Sequence, residues 1–199
     1  MNNKIDSLIL DGNETFDFIN EALSFSNVND LEFRNCDFFT DDLLKLIDFK
    51  QYNRVAFVEC TFEDENLLKN IKTKSISLTN NKIANYNFVY DMNNLENLTI
   101  VGGSVDAYKI NSLKNLKYLR LSHSNIINIK ELHLDKLKYL FIDNTNILDI
   151  SFIKKFSKLQ LLSISEEQRL LNKEFISIIK NHIHIILDSI IEMEVYDDE

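Results

Sequence analysis

One spacing of apolar and polar positions runs along nearly the whole chain: apolar-x-x-apolar-x-apolar-x-x-polar. It reads Ile5, Leu8, Leu10, Asn13; then Val28, Leu31, Phe33, Cys36; then Tyr52, Val55, Phe57, Cys60; then, with a polar first position, Thr73, Ile76, Leu78, Asn81. Four further copies follow: Leu95, Leu98, Ile100, Gly103; Leu116, Leu119, Leu121, Ser124; Leu137, Leu140, Ile142, Thr145; and Leu159, Leu162, Ile164, Glu167. Successive copies start 23, 24, 21, 22, 21, 21 and 22 residues apart. Within each copy the x-apolar-x-apolar-x stretch has the period of a short strand, so its apolar residues share one face and the residues between them the other. A single unit cannot bury its apolar row. Stacking neighbours into one parallel sheet does, and the pattern therefore predicts a solenoid.

The segments between the strands differ in the two halves. In the first half they look helical, at 14–25, at 40–50 and at 63–71, with Thr40 as the expected N-cap and Asp41 and Asp42 in a favourable first turn. In the second half they are shorter, and 3₁₀ turns or extended pieces are expected. No Pro- or Gly-rich linker divides the chain, which predicts one continuous solenoid over 1–199, with about eight repeats at 5–167 and a cap at 168–199. In the cap, 168–182 places Leu171, Phe175, Ile178 and Ile179 at helical spacing, and 183–187 offers a final strand in the register His182, Ile185, Leu187, Ile190. The acidic run EMEVYDDE at 192–199 would discourage strand addition at that edge, and MNNKID gives the opposite edge a polar start.

The repeat length and pattern resemble the leucine-rich-repeat superfamily over roughly 5–187. Residues 95–165 resemble the 22-residue subclass found in bacterial internalins and a phosphatase regulator, through LKNLKYLRLSHSNIINIKEL and LKYLFIDNTNILDISFI, with Asn146, Ile147 and Ile150 after the second strand. The resemblance implies an α/β solenoid with a curved parallel sheet on the concave face, helices and 3₁₀ turns on the convex face, and a protein partner. The closing polar position of such repeats normally holds an Asn that satisfies loop backbone groups. Asn13 and Asn81 fit, Cys36, Cys60, Ser124 and Thr145 donate more weakly, and Gly103 and Glu167 depart from the pattern.

Composition narrows the chemistry. Lys and Arg number 22 against 31 Asp and Glu, and a formal charge of −9 disfavours phosphate backbones and anionic membranes as partners. No apolar run is long enough for a membrane span, and no signal peptide opens the sequence. A cytoplasmic monomer is expected, with non-Sec export as a rival. Abundant Asn, Ile, Lys, Phe and Tyr with no Pro describe an AT-rich coding genome, and a bacterial source is expected. Charge is unevenly spread: residues 1–100 carry a net −8, residues 101–187 a net +5 and residues 188–199 a net −6. Lys114, Lys117, Lys136, Lys138 and Lys158 recur near strand starts as a basic rim.

Catalytic signatures are absent. The sequence has no phosphate-binding glycine loop, no H-E-x-x-H and no G-x-S-x-G. His182 and His184 lack further ligands at zinc spacing, and Cys36 and Cys60, at one position of adjacent coils, read as buried reduced thiols in a cytosolic protein. No cofactor or metal is expected, and an enzyme acting on a small molecule or through a metal is the alternative reading. The outward residues carry the remaining signal. The central column runs Ile9, Glu32, Ala56, Ser77, Thr99, Arg120, Phe141, Ser163, and the one before it Ser7, Asp30, Arg54, Ser75, Asn97, Tyr118, Tyr139, Leu161. Tyr118, Arg120, Tyr139, Phe141 and Leu161 fall on three consecutive coils, with His123 at the margin. Tyr and Arg are enriched at interface hot spots, so these six residues are the expected partner-binding site, as against rings that merely pack on one another. The expected function is non-catalytic protein binding, as an inhibitor or immunity-type protein, a host-directed effector or an enzyme regulator.

Overall fold

In the computed structural model, which describes residues 6–13, 17–25 and 27–187, the apolar knobs of the repeat stack into one sheet of nine strands. These are β1 (Ser7–Asp11), β2 (Asp30–Arg34), β3 (Tyr52–Val58), β4 (Thr73–Thr79), β5 (Asn97–Val101), β6 (Tyr118–Arg120), β7 (Tyr139–Phe141), β8 (Leu161–Ile164) and β9 (His184–Leu187). Every neighbouring pair is parallel, in chain order. The register puts Leu31, Val55, Ile76, Leu98, Leu119, Leu140 and Leu162 in one continuous inward row, each directly opposite the next. All seven are buried. Strands β2 to β7 each lead into a turn with a left-handed residue: Asn35, Glu59, Asn80, Gly102, His123 and Asn144 all have positive φ, four positions after the first knob of their strands. Asn and Gly tolerate this conformation best, which is why they hold four of these six places. At Gly102, a Cβ would also collide with the Asn80 side chain of the preceding coil.

The convex side follows the expected change along the chain, with differences in detail. Helix α1 (Phe18–Ser24) is capped by the Asp17 carboxylate, which accepts from Asn20 N–H, and α2 (Thr40–Phe49) buries Leu43, Leu46 and Ile47. Thr40 is not the N-cap of α2: Phe39 holds that place, its N–H donating to Asp42 Oδ2 at 3.2 Å, while Thr40 N–H donates to Glu63 Oε2 at 2.8 Å. The 63–71 segment forms a 3₁₀ helix, Glu65–Asn70, instead of an α-helix, with Asp64 as its cap. Later coils use 3₁₀ pieces at Asn87–Asp91, Ile129–Glu131 and Ser151–Lys155 and a single α turn, α3 (Ala107–Ile110). Under the N-terminal coils the core is aromatic: Phe33 stacks on Phe57 and Phe38 on Phe62, with ring centroids 5.6 and 5.4 Å apart. Phe38 and Phe62 belong to a second, two-stranded ladder of Asp37–Phe38 with Thr61–Phe62, and Ser104–Asp106 pairs likewise with Asn125–Ile127.

The closing polar column works as a ladder, with a substitution at its end. Asn81 accepts from Cys60 N–H at 2.8 Å and donates to Phe57 O at 2.9 Å, and Ser124 Oγ donates to Ile100 O at 3.1 Å. The thiols of Cys36 and Cys60 are reduced, buried and directed at the carbonyls of Arg34 and Val58, and the contact with the Cys60 thiol, with burial adding to it, pushes the Cys36 thiol up. Asn13 does not join the ladder; it is exposed, and its backbone N–H donates to Asp11 Oδ1. Where Glu167 breaks the pattern, Gln168 replaces it: fully buried, its Nε2 donates to Ile142 O at 3.0 Å and Ile147 O at 2.6 Å. At Gly103 a Cβ would strike the Tyr86 ring, so the departure there makes room for an aromatic from the coil before.

The last coil differs most from expectation. The 168–182 stretch is two helices, α4 (Glu166–Leu171), capped by Ser165, and α5 (Lys173–Ile179), broken at Asn172. Asn172 leaves the helical path because its amide donates to Leu148 O at 2.7 Å in the coil before. Of the four residues at helical spacing, Ile179 is buried and Phe175 packs against the core, whereas Leu171 and Ile178 are exposed. Strand β9 keeps the expected register, with Leu162 opposite Ile185 and Ile164 opposite Leu187, but Ile183 and not His182 is buried before it. Ile5, Ile190 and both polar terminal runs, MNNKI and 188–199, lie outside the described residues.

Candidate functional site on the open face of the sheet

Outward residues of adjacent strands stand opposite one another in the same register as the knobs. Tyr118 faces Tyr139 and Tyr139 faces Leu161, while Arg120 faces Phe141 and Phe141 faces Ser163. The sheet therefore brings Tyr118, Arg120, Tyr139, Phe141 and Leu161 together. Tyr118 and Tyr139 lie with ring centroids 6.3 Å apart, Tyr118 and Phe141 4.9 Å apart, and the Arg120 guanidinium sits 5.8 Å from the Phe141 centroid. Tyr118, Arg120, Tyr139 and Leu161 are half-buried. Phe141 is only 4% exposed, covered by these neighbours, so it supports the patch from beneath more than it presents a surface. Burial pushes the Tyr118 phenol up, partly offset by the Arg120 cation beside it. His123 is exposed in its left-handed turn at the edge, its backbone N–H donating to Asp143 O at 3.1 Å.

A third outward column, three positions after each first knob, was not among the sequence candidates although the same periodicity contains it. On coils six and seven it holds Ser122 and Asp143. Asp143 is 1% exposed, and its Oδ1 accepts from Ser122 Oγ at 3.0 Å and from Ser163 Oγ at 2.7 Å, while Arg120 Nε donates to Ser122 Oγ at 3.3 Å. This network holds the Arg120 side chain beside the aromatic patch, over Phe141. A buried acid held by two hydroxyls is a strong orienting element, because leaving any of its lone pairs unmet is costly.

Toward the N-terminal half the face changes character. Glu32, buried, is paired with Arg34 at 2.6 Å and with Arg54 at 3.1 Å. Between this cluster on β2 and β3 and the Tyr118–Arg120 pair on β6, strands β4 and β5 line the face with Ser77, Thr79, Thr99 and Val101. The result is a groove of about 490 Å³ with arginines on both sides. A second, wider depression of about 740 Å³ runs along the strand starts and is lined by Lys69, Lys72, Lys74, Lys117 and Lys136. Glu96 at its centre pairs with Lys117 at 2.6 Å and Lys74 at 3.0 Å, and these cations hold its carboxyl below the usual range. The basic rim read from the sequence thus extends further toward the N-terminus, to Lys72 and Lys74.

Among the described residues, no group of three or more His, Cys, Asp or Glu is arranged to hold a metal ion. His182 and His184 are exposed, and His184 continues the outward column next to Leu161. No described helix is long and apolar enough to cross a membrane.

A parallel sheet stacked from 21- to 24-residue coils, with helical or 3₁₀ returns and a column of polar side chains meeting backbone groups at the strand ends, defines a leucine-rich-repeat solenoid fold. Among solved structures, the chain is similar to an internalin from Listeria monocytogenes, with 20% identity, a TM-score of 0.58, and coverage of 83% of this chain and 51% of that one. It is likewise similar to internalin C2 of the same organism, with 22% identity, a TM-score of 0.51, and coverage of 64% of this chain and 56% of that one. The chain thus spans about half the length of the internalins it matches, and the likeness is one of fold. No protein-family description and no curated protein matches it.

Proposed function

We propose that this protein is a non-catalytic protein-binding module, residues 1–199 working as one solenoid, that docks a partner on the C-terminal half of its open face. The observation that carries this reading is the half-buried cluster of Tyr118, Tyr139 and Leu161 around Arg120, on a rigid sheet beside a groove. Aromatic and arginine side chains held in place before binding lose little conformational entropy on contact, which is what makes such residues hot spots. The basic rim beside them favours a partner with an acidic margin, since complementary charge accelerates encounter. In its narrower form the proposal is a bacterial cytoplasmic inhibitor or immunity-type protein, acting as a monomer to mask another protein. A toxin gene found beside this one would support that form, and its absence would count against it.

The test uses Tyr139→Ala. Tyr139 is chosen over Phe141 because the latter is buried and its removal would disturb the sheet face. A protein recovered by affinity capture from the native cell should bind the variant roughly 10- to 30-fold more weakly, about 2 kcal/mol for a hot spot. Equal affinity would overturn the site. Failure to recover any partner, together with a positive metabolite-turnover screen, would overturn the class.

A further inference from the structure

The strand starts stack in two columns of residues that lie off the open face. Lys74, Glu96, Lys117 and Lys138 follow one another from coil to coil, each N–H donating to the carbonyl of the one before at 2.8 Å. Two residues earlier on the same coils stand Lys72, Asn94, Asn115 and Lys136. All but Lys138 line the depression of about 740 Å³, and buried Ile71 and Met92 reach its walls. Its lining holds five lysines against two acids, a local +3 on a chain of net −9. Both acids are already engaged: Glu96 is shared between Lys74 and Lys117, and Asp91 lies 3.9 Å from Lys69. Lys72 and Lys136 are exposed and have no acidic partner among the described residues. Lys136 is nevertheless held in place, its Nζ donating to Asn115 Oδ1 at 2.8 Å while Asn115 Nδ2 donates to Asn93 O at 3.2 Å. A solvated face ordinarily mixes the two signs of charge, whereas this concavity concentrates one.

We propose that this depression binds an extended acidic segment of a protein partner, lying across the coils along the strand starts. The proposal deepens the protein-binding reading and rests on it for the class of partner, but not on the aromatic cluster. Coils stack about 4.8 Å apart, so Lys72 and Lys136, three coils apart, lie roughly 14 Å from each other. In an extended chain rising about 3.4 Å per residue, carboxylates at i and i+4 share a face and span about the same 14 Å. One pair of acids thus meets both cations, while the residues between them pass Asn94 and Asn115, whose amides can pair with the segment's backbone. A concave site of one sign focuses the field and draws in the oppositely charged segment. A nucleic acid carries the same sign of charge, but its phosphates extend well past the depression. There the net −9 of the chain, with −8 in residues 1–100, repels a long polyanion. A short acidic segment meets the depression alone.

The experiment titrates the full chain into a fluorescently labelled dodecapeptide of alternating Glu and Ser, read by anisotropy, with an oligothymidylate of equal charge as the second probe. The peptide should bind saturably, one per chain. Lys72→Glu/Lys136→Glu should weaken it by roughly tenfold or more. Lys154→Glu/Lys173→Glu, the same change of charge at exposed positions on the convex side, should weaken it by less than about threefold. No saturable binding, or equal loss in the two variants, would overturn the proposal. So would tighter binding of the oligothymidylate that the first variant abolishes, which would make the depression a nucleic-acid site. Tyr139→Ala should leave the peptide bound as before, and loss of binding there would move the segment to the open face and refute its place here. Because the peptide is read without the partner, a captured partner that needs Tyr139 beside a peptide that does not bind would sink this proposal and leave the open-face site standing. If Lys72→Glu/Lys136→Glu loses the far-UV circular dichroism of the wild type, Lys72→Ala/Lys136→Ala takes its place, with a weakening of roughly threefold or more.

Discussion

Adjacent residues of one strand have opposite fates. Leu98 is fully buried among the knobs of β4 and β6, whereas Asn97, outward on the same strand, is exposed. Leu98→Ala should therefore cost about 2–5 kcal/mol through lost transfer and a residual cavity, and Asn97→Ala less than about 0.5 kcal/mol. Urea denaturation of both variants checks the contrast, and equal midpoints would refute the register. The alternation that separates these two residues is local and was legible in the sequence. The covering of Phe141 was not: it belongs to the outward set, yet Tyr118 and Arg120 from the adjacent strand bury it. Whether an outward ring is open depends on the size of its cross-strand neighbours, and only the register brings those neighbours into view.

At the scale of the element, the loops between coils are set by a few side chains that meet backbone groups. Gln168 takes over where the polar column departs from Asn, and removing its amide takes this buried donor from Ile147 O and leaves Ile142 O with the Thr145 hydroxyl alone. Gln168→Ala should cost about 2–3 kcal/mol and Glu167→Ala, exposed one residue earlier, close to nothing. Thermal unfolding of the two variants, expected to differ by several degrees, provides the check. The left-handed column yields a prediction of opposite sign. Glu59 pays a steric cost at φ 56° that Gly102 avoids at the equivalent place, so Glu59→Gly should leave stability unchanged or raise it by up to about 1 kcal/mol, as read by denaturant midpoint. The repeat of Asn and Gly at this offset is visible along the chain. The Gln168 replacement is not, because a shift of one residue is permitted only by the turn into α4, where Ser165 and Gln168 cap one another.

Over the whole molecule, tyrosines buried in the coils couple folding to alkaline pH. Tyr52, buried with its hydroxyl donating to Leu46 O at 3.3 Å, has its phenol pushed up to about 12 from 10.0 by burial. Between these values the unfolded chain has released a proton that the folded chain keeps, so stability is full below pH 10 and falls as pH rises toward 12. Tyr86, Tyr90 and Tyr118 shift in the same direction for the same reason. The urea midpoint should fall between pH 9 and pH 11.5, by about 2–3 kcal/mol at most for Tyr52 alone, and Tyr52→Phe should flatten the slope. An unchanged slope in that variant would place the coupling elsewhere.

The sequence alone determined the solenoid, the register of every strand in the sheet and the two outward columns, because a period of two repeated every 21–24 residues leaves one stacking that buries each apolar row. It also located the aromatic cluster on three coils. Tertiary structure decided what depends on distance between coils: the Asp143–Ser122–Ser163 network, the Glu32–Arg54 ion pair beside the groove, and the break of the last helix at Asn172. In each case the deciding contact joins residues about one coil apart or pairs them across strands, and a hydrogen bond or ion pair has no periodicity of its own to announce it in the chain.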